Sequence, residues 1–248
     1  MSRILLLADG IVGLEIVSWL TTTHAKDIVV IITASDNDIA EVARAAGVPT
    51  IVFSTDETVA AWVREREHEI TLGFTLWWPK ILRAPLLNLP RRGFINTHPS
   101  LLPHARGKHY NFWTIVEGAP FGVTLHLIDE GIDTGPIVAQ RAIAYGWEDD
   151  GESLYKKAQA AMPALFRDIY PQLRLGNFQA HPQDLTSGSF HAAKEIDPAS
   201  MIDLDSQYTG RQLLNLLRAR TFAGHPACYF VDEGRTYEVR VQIGESEL

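Results

Sequence analysis

The fold turns on "RILLLADGIVGLEIVSWLTTTHAKDIVVIITA", residues 3–34. "RILLLA" (Arg3–Ala8) is a continuous apolar run, as a strand buried on both faces requires. Gly10 and Gly13 mark a turn, after which Ile16, Val17 and Leu20 recur at helical spacing. "DIVVIITA" (Asp27–Ala34) is a second buried strand. The alternation continues outward from there. "DNDIAEVARAAGVPT" predicts a helix that Asp36 caps and Gly47 ends. "TIVF" is a third strand, "DETVAAWVRER" a helix and "EITLGF" a fourth strand. Such alternation means right-handed crossovers and a parallel sheet covered on both faces. The expected fold is α/β, doubly wound and mostly parallel. "DGIVG" lacks the three-glycine dinucleotide fingerprint, so Gly10 points to a tight turn or to a substrate phosphate at a helix N-terminus.

After "RRGFINTHP" the pattern changes. "FGVTLHLIDEG" and "GPIVAQRAIAY" read as strands around a polar, glycine-containing loop. "ESLYKKAQAAMPALFRDIYPQL" reads as a long helix kinked at Pro163. "GNFQAHPQDLTSGSFHAAKEIDP" is rich in Gly, Pro, Ser and His and reads as a linker. A helix in "SQYTGRQLLNLLRAR" and a hairpin joining "PACYFV" to "TYEVRVQI" across "DEGR" complete the chain. The expected organisation is a main domain over residues 1–185 and a small C-terminal α+β appendage over 186–248.

Composition narrows the function. A chain of 248 residues can bury one sizeable core. The net charge of −8 argues against a broad nucleic-acid or anionic-membrane surface. No apolar run approaches the roughly 20 residues of a membrane span, and the start lacks a secretory cleavage pattern. Cys228 is the only cysteine, so no internal disulfide forms. The cytoplasm is the expected compartment, with neither nucleic acid nor membrane as partner.

The chemistry concentrates in "FINTHPSLLPHARGKHYNFW" (Phe94–Trp113). Asn96 and His98 stand two apart, so on a strand both side chains project to one face. The carboxyl edge of a parallel sheet is where open α/β folds bind ligands. Asn offers an amide donor, and His exchanges a proton near neutral pH, which suits an oxyanion and acyl transfer. The alternative is a buried histidine satisfied by backbone beside a turn-forming asparagine. A second stretch, "HLIDEGIDTGPI" (His126–Ile137), crowds Asp129, Glu130 and Asp133 into a glycine-rich loop. If the two strands neighbour each other, the set becomes Asn–His–Asp; otherwise the loop is a solvated acidic turn. His98, His104 and His109 match no zinc spacing even with Asp133 added, so no metal is expected. Ser100 near His98 lacks the G-x-S-x-G elbow of a serine hydrolase.

"NTHPSLLP" followed by "RG", then "GVTLHLIDEGIDTGPIVAQ", resembles the folate-dependent formyltransferases. That family includes the glycinamide ribonucleotide, methionyl-tRNA and nucleotide-sugar enzymes. The two motifs occur in the family's order and spacing, and the resemblance is strong over about residues 1–145 and looser in the tail. It implies a Rossmann-like core, catalytic Asn96, His98 and Asp133, N10-formyltetrahydrofolate as formyl donor, and no metal. It also implies a pterin lying against "GFTLWWP" and "LIDEGID". The folate candidates are thus Trp77, Trp78, Ile128 and the backbone of Glu130 and Gly131; in an extended chain at most one of the two tryptophans faces the ligand. "RGKHYNFWTIVEG" resembles the sugar enzymes, with Tyr110 where they often carry proline. The implied acceptor is a nucleotide-linked amino sugar of surface-polysaccharide (lipopolysaccharide or O-antigen) synthesis, met by Gly10, Arg106, Lys108, His109 and Tyr110. A short tail and net negative charge disfavour tRNA as acceptor. The tRNA and purine enzymes and a non-catalytic binding module are the alternatives; an intact Asn–His–Asp set argues against the last. A homodimer is implied, since the related sugar enzymes commonly pair.

Overall fold

A central strand of five consecutive buried residues organises the molecule. The computed structural model describes residues 3–66 and 69–246. In it β1 (Ile4–Ala8) leads through α1 (Gly10–Thr23) to β2 (Ile28–Thr33), α2 (Asp38–Ala45), β3 (Thr50–Val52), α3 (Asp56–Glu65) and β4 (Leu72–Leu76). Every residue of β1, β2 and β4 is buried, because helices cover both faces of the sheet. Asn37, not Asp36, caps α2, its side chain accepting from the Ala40 amide, while Gly47 follows the helix in the left-handed conformation. The strand read as "EITLGF" sits slightly later, at Leu72–Leu76.

The chain continues with β5 (Phe94–His98), the short β6 (Arg106–Gly107), α4 (Tyr110–Glu117), β7 (Gly122–Leu127), β8 (Ile137–Ala142) and α5 (Gly151–Leu175). Sheet order is β3-β2-β1-β4-β5-β7-β8. The strands from β3 to β5 are parallel, whereas β7 and β8 are antiparallel to their neighbours. Two cores flank this sheet. One gathers α1, α4 and α5 around Phe74 and Phe166, and the other gathers Leu5, Val30, Phe94 and Leu86 on the α3 side.

The long helix α5 runs unbroken through both Pro163 and Pro171. Each proline removes one helical hydrogen bond. The loss is offset by the buried face of Leu154, Ala158, Met162, Phe166, Tyr170 and Leu173, an Asp150–Ser153 capping box and a left-handed Gly176. Buried Asp27 anchors the far end of the helix, accepting from the Tyr170 hydroxyl at 3.1 Å and pairing with Arg174.

The segment expected to be a linker is instead a strap laid on the main body. His181 and Ile137 exchange two backbone hydrogen bonds of 2.8 Å. Further on, β9 (Phe190–His191) pairs in parallel with β6. The His191 ring stacks on Trp113 at 3.6 Å and meets Glu117 and Glu195. The division drawn at residue 185 falls inside this strap. Beyond it lie α6 (Ile196–Ala199), α7 (Gly210–Ala219) and a hairpin of β10 (Cys228–Asp232) with β11 (Arg235–Val239). Buried Arg218 fastens α7 to the main body, donating to the carbonyls of Gly146 (2.6 Å) and Asp149 (2.8 Å). Phe222 packs edge-on against Tyr155, which in turn packs on Trp77.

Candidate active site

Strand pairing assembles the polar centre. On β5, Phe94, Asn96 and His98 alternate to one face, and Phe94 identifies it as the α3 side. On the antiparallel neighbour β7, His126 lies directly opposite Asn96. The loop after β7 turns back so that Asp133 meets all three. Its Oδ1 lies 3.4 Å from His98 Nδ1, 3.5 Å from His126 Nε2 and 3.5 Å from Asn96 Nδ2. Its Oδ2 accepts from the Gly107 amide at 3.0 Å. Asn96, His98 and Asp133 are thus neighbours in space.

Hydrogen-bond bookkeeping orients each group. The Thr75 hydroxyl donates to Asn96 Oδ1 at 2.7 Å, which leaves the Asn96 NH₂ facing His126 and Asp133. The Leu127 carbonyl lies 2.9 Å from His126 Nδ1 and can only accept, so His126 carries its proton there. Its Nε2 then accepts from Asn96 Nδ2 at 3.1 Å. By the same reasoning His98 turns Nδ1–H toward the Asp133 carboxylate. Its Nε2 is then a lone pair, buried and without a hydrogen bond of normal geometry, while the Ala105 backbone close to the ring favours its protonated form.

Electrostatics follow from burial. Loss of hydration pulls the His98 pKa below its ordinary value; Asp133 opposes this, and the nearby His126 adds to it. Burial alone would raise the Asp133 carboxyl, but His98, His126 and the Gly107 amide together outweigh it and hold the group well below the usual carboxylate range. The resting pair at neutral pH is therefore a neutral imidazole beside a carboxylate. Asp133 also sits at φ +54°, and Trp77, Ala105 and His109 nearby in the sequence motifs have φ of +51°, +49° and +58°. Left-handed residues other than glycine are strained positions that surrounding structure must hold in place.

Other expected site residues fall in different places. Trp78 packs with Ile128 and Phe53 on the α3 side, the face that carries Asn96 and His98. Trp77 packs instead against Tyr155 on the opposite side, so the two adjacent tryptophans are divided between the faces and only Trp78 shares the face of Asn96 and His98. Glu130 and Gly131 are exposed. Gly131 is tightly constrained, since an added Cβ would stand 2.1 Å from Thr134 Oγ1. Gly10, exposed at φ +61°, opens α1 beside the end of β1. Arg106 donates to the Ser189 carbonyl at 3.3 Å, Lys108 is exposed, and His109 caps α4. Burial and the neighbouring Arg220 lower the His109 pKa. Tyr110 is buried and stacks on Phe121, so it supports the core rather than an acceptor surface. Ser100 donates to the His104 carbonyl at 2.7 Å, away from a nucleophile's geometry. His126 and Thr75 lie outside the expected set; a histidine flanked by apolar residues in "LHLI" is the available signal for the first.

The family described as formyl transferase matches residues 3–169, and an N-formyltransferase dimerization C-terminal domain matches residues 195–245. The chain belongs to the formyltransferase family. The dTDP-4-amino-4,6-dideoxyglucose formyltransferase of Mycobacterium tuberculosis shares 33% identity with it over 150 residues, 60% of this chain and 64% of the relative. The chain thus matches less than two thirds of that relative's length. A crystallised Mycobacterium tuberculosis protein, inferred to be a sugar N-formyltransferase, superposes over 100% of both chains at 27% identity with a TM-score of 0.82. The N-formyltransferase of Helicobacter canadensis, solved with folinic acid and dTDP-3-aminofucose, shares the fold over 94% of this chain and 85% of its own (TM-score 0.74, 18% identity).

Proposed function

We propose that this formyltransferase moves a formyl group from N10-formyltetrahydrofolate to the primary amine of a nucleotide-linked amino sugar, in the making of a surface polysaccharide. The observation that carries the reading is the His98–Asp133 pair with its buried Nε2 lone pair, set beside an Asn96 amide whose donors face the same centre. The sugar class is supported by the named activity of the 33% identical relative. The negative net charge supports a small acceptor over tRNA. No helix among the described residues is long and apolar enough to cross a membrane, which accords with an enzyme working in the cytoplasm on activated sugars. The dimerization-domain match supports a homodimer.

The site's residues fit a folate co-substrate. Trp78 and Ile128 offer an apolar wall on the face of Asn96 and His98, and the Trp78 Nε1 is a buried donor without a partner. Bound there, the folate supplies the formyl carbon. The Asn96 Nδ2–H that meets Asp133 only weakly, at 3.5 Å, is the donor that can turn to an oxygen gaining negative charge, while the other stays on His126. His98 Nε2 takes a proton from the attacking amine and can return it to the departing nitrogen. Asp133 stabilises the imidazolium formed in between and keeps Nδ1 protonated.

The test is release of tetrahydrofolate when the protein meets N10-formyltetrahydrofolate and dTDP-4-amino-4,6-dideoxyglucose. Saturable formylation of charged initiator tRNA, with none of any nucleotide-linked amino sugar, would overturn the acceptor. Lys108→Ala should raise the acceptor's KM several-fold while leaving the folate's nearly unchanged, because a diphosphate needs an exposed cation. Equal weakening of both substrates would make Lys108 structural.

A further inference from the structure

Resting on the formyl-transfer reading, we infer that Gln183 is a positioning residue that holds the Asp133 carboxylate in its working geometry. Gln183 lies on the strap, fifty residues along the chain from Asp133. Its side-chain Nε2 donates to the Asp133 carbonyl at 3.0 Å and to the Gly135 carbonyl at 2.7 Å. Both partners are acceptors, so the amide orientation is fixed by them and both of its N–H groups are used.

The clamp acts where the loop has most need of it. Asp133 is left-handed at φ +54° without being glycine, a conformation that persists only where neighbours impose it. Gly135, two residues on, is pressed so close to the Leu127 carbonyl that a Cβ would stand 1.8 Å from it. The Gln183 amide ties together the carbonyls on either side of Thr134 and closes this turn. The carboxylate is fixed from its other side by the Gly107 amide at 3.0 Å, and Gly107 belongs to β6, which the same strap pairs through β9. Backbone and side chain of Asp133 are thus both referenced to one segment, residues 181–191. A proton-transfer pair tolerates little displacement. A shift of about 1 Å in such a group can cost ~100-fold in rate.

Replacing Gln183 by Met keeps length and removes both donors; Gln183→Leu also removes both, without adding a charge, if the Met variant folds poorly. With N10-formyltetrahydrofolate and dTDP-4-amino-4,6-dideoxyglucose, kcat should fall by ~10-fold to ~100-fold while both KM values stay within about threefold. In an Asp133→Asn background the same change should lower kcat by less than about twofold, because the group being positioned is already gone. Equal losses in the two backgrounds, or no loss in the first, would overturn the assignment. Amide hydrogen exchange supplies a readout that needs no substrate. In Gln183→Met the Gly107 amide, bonded to Asp133, should exchange at least ~10-fold faster. The Lys108 amide, bonded at 3.0 Å to the His191 carbonyl, should not change. Acceleration of both would mean that the strap had merely detached, and acceleration of neither would mean that Gln183 does not hold Asp133. A wild-type protein inactive on every amino sugar would refute the acceptor reading, while the exchange result would still decide the role of Gln183.

Discussion

His98 combines burial with a carboxylate neighbour, and the two act on its proton in opposite senses. Its role is tested by His98→Asn, which should lower kcat by ~10²–10³-fold in a folded protein, as removal of one such contact usually does. Turnover within a few-fold of wild type would remove it from the chemistry. The same burial sets a pH dependence of stability. The folded pKa of His98 lies below the ordinary value of about 6.5, so the unfolded chain binds the proton first and stability declines as pH falls below that value. Asp133 has a folded pKa below the ordinary value of about 4, so its contribution is complete above that pH and is lost on further acidification. Both groups therefore weaken the fold in acid. Urea midpoints should be lower at about pH 5 than at about pH 7.5, and His98→Asn should narrow the gap; an unchanged gap would contradict the burial argument. At this scale the shared face of Asn96 and His98 is legible in their spacing, whereas the nearness of Asp133 to them is not and is suggested only by the motif. The roles of Thr75 and His126 are not legible, since they come from strand pairing across β4, β5 and β7.

Among the elements, the loop between β7 and β8 and the strap that closes it matter most. A Cβ on Gly135 would meet the Leu127 carbonyl at 1.8 Å, so the loop must move to admit one. Gly135→Ala should cost roughly 1–3 kcal/mol, seen as a lowered thermal midpoint, with a loss of kcat as Asp133 is displaced. A stable, fully active variant would show that the loop repacks freely. Composition alone gives the strap the look of a linker, because Gly, Pro, Ser and His are common in both free and docked connections. What distinguishes them is pairing with distant residues, such as His181 with Ile137 and His191 with Gly107, which composition does not express. Helix α5 is likewise not interrupted at Pro163, because a large buried face holds it together on either side of the proline.

For the whole molecule, the sheet was the most legible feature. Uninterrupted apolar runs such as "ILLL" and "IVVII" admit few readings other than strands buried on both faces, and these became adjacent β1 and β2. The antiparallel turn of β7 and β8 was less visible, since strand direction depends on where a chain crosses the sheet. The C-terminal hairpin leaves Val231 and Tyr237 exposed, and Leu204 and Met201 are exposed elsewhere in the same module. A two-stranded hairpin with apolar surface is marginal alone and invites a second copy. Val231→Arg combined with Tyr237→Arg should therefore convert a dimer to a monomer in sedimentation equilibrium, with little change in far-ultraviolet circular dichroism. A dimer that survives both charges would place the interface elsewhere.

The divided tryptophan pair has an optical consequence. Trp78 sits in the wall beside Asn96 and His98, whereas Trp77 is joined through Tyr155 to Phe222 of the C-terminal module. Indole emission reports the immediate surroundings of each ring, so two consecutive residues watch two different events. In a variant that keeps only Trp78, the proposed folate site predicts an emission change when the co-substrate binds; in one that keeps only Trp77, emission should follow the seating of the module. Because the chain holds six tryptophans, each reading needs the other five replaced, and two neighbouring positions then report on two different places.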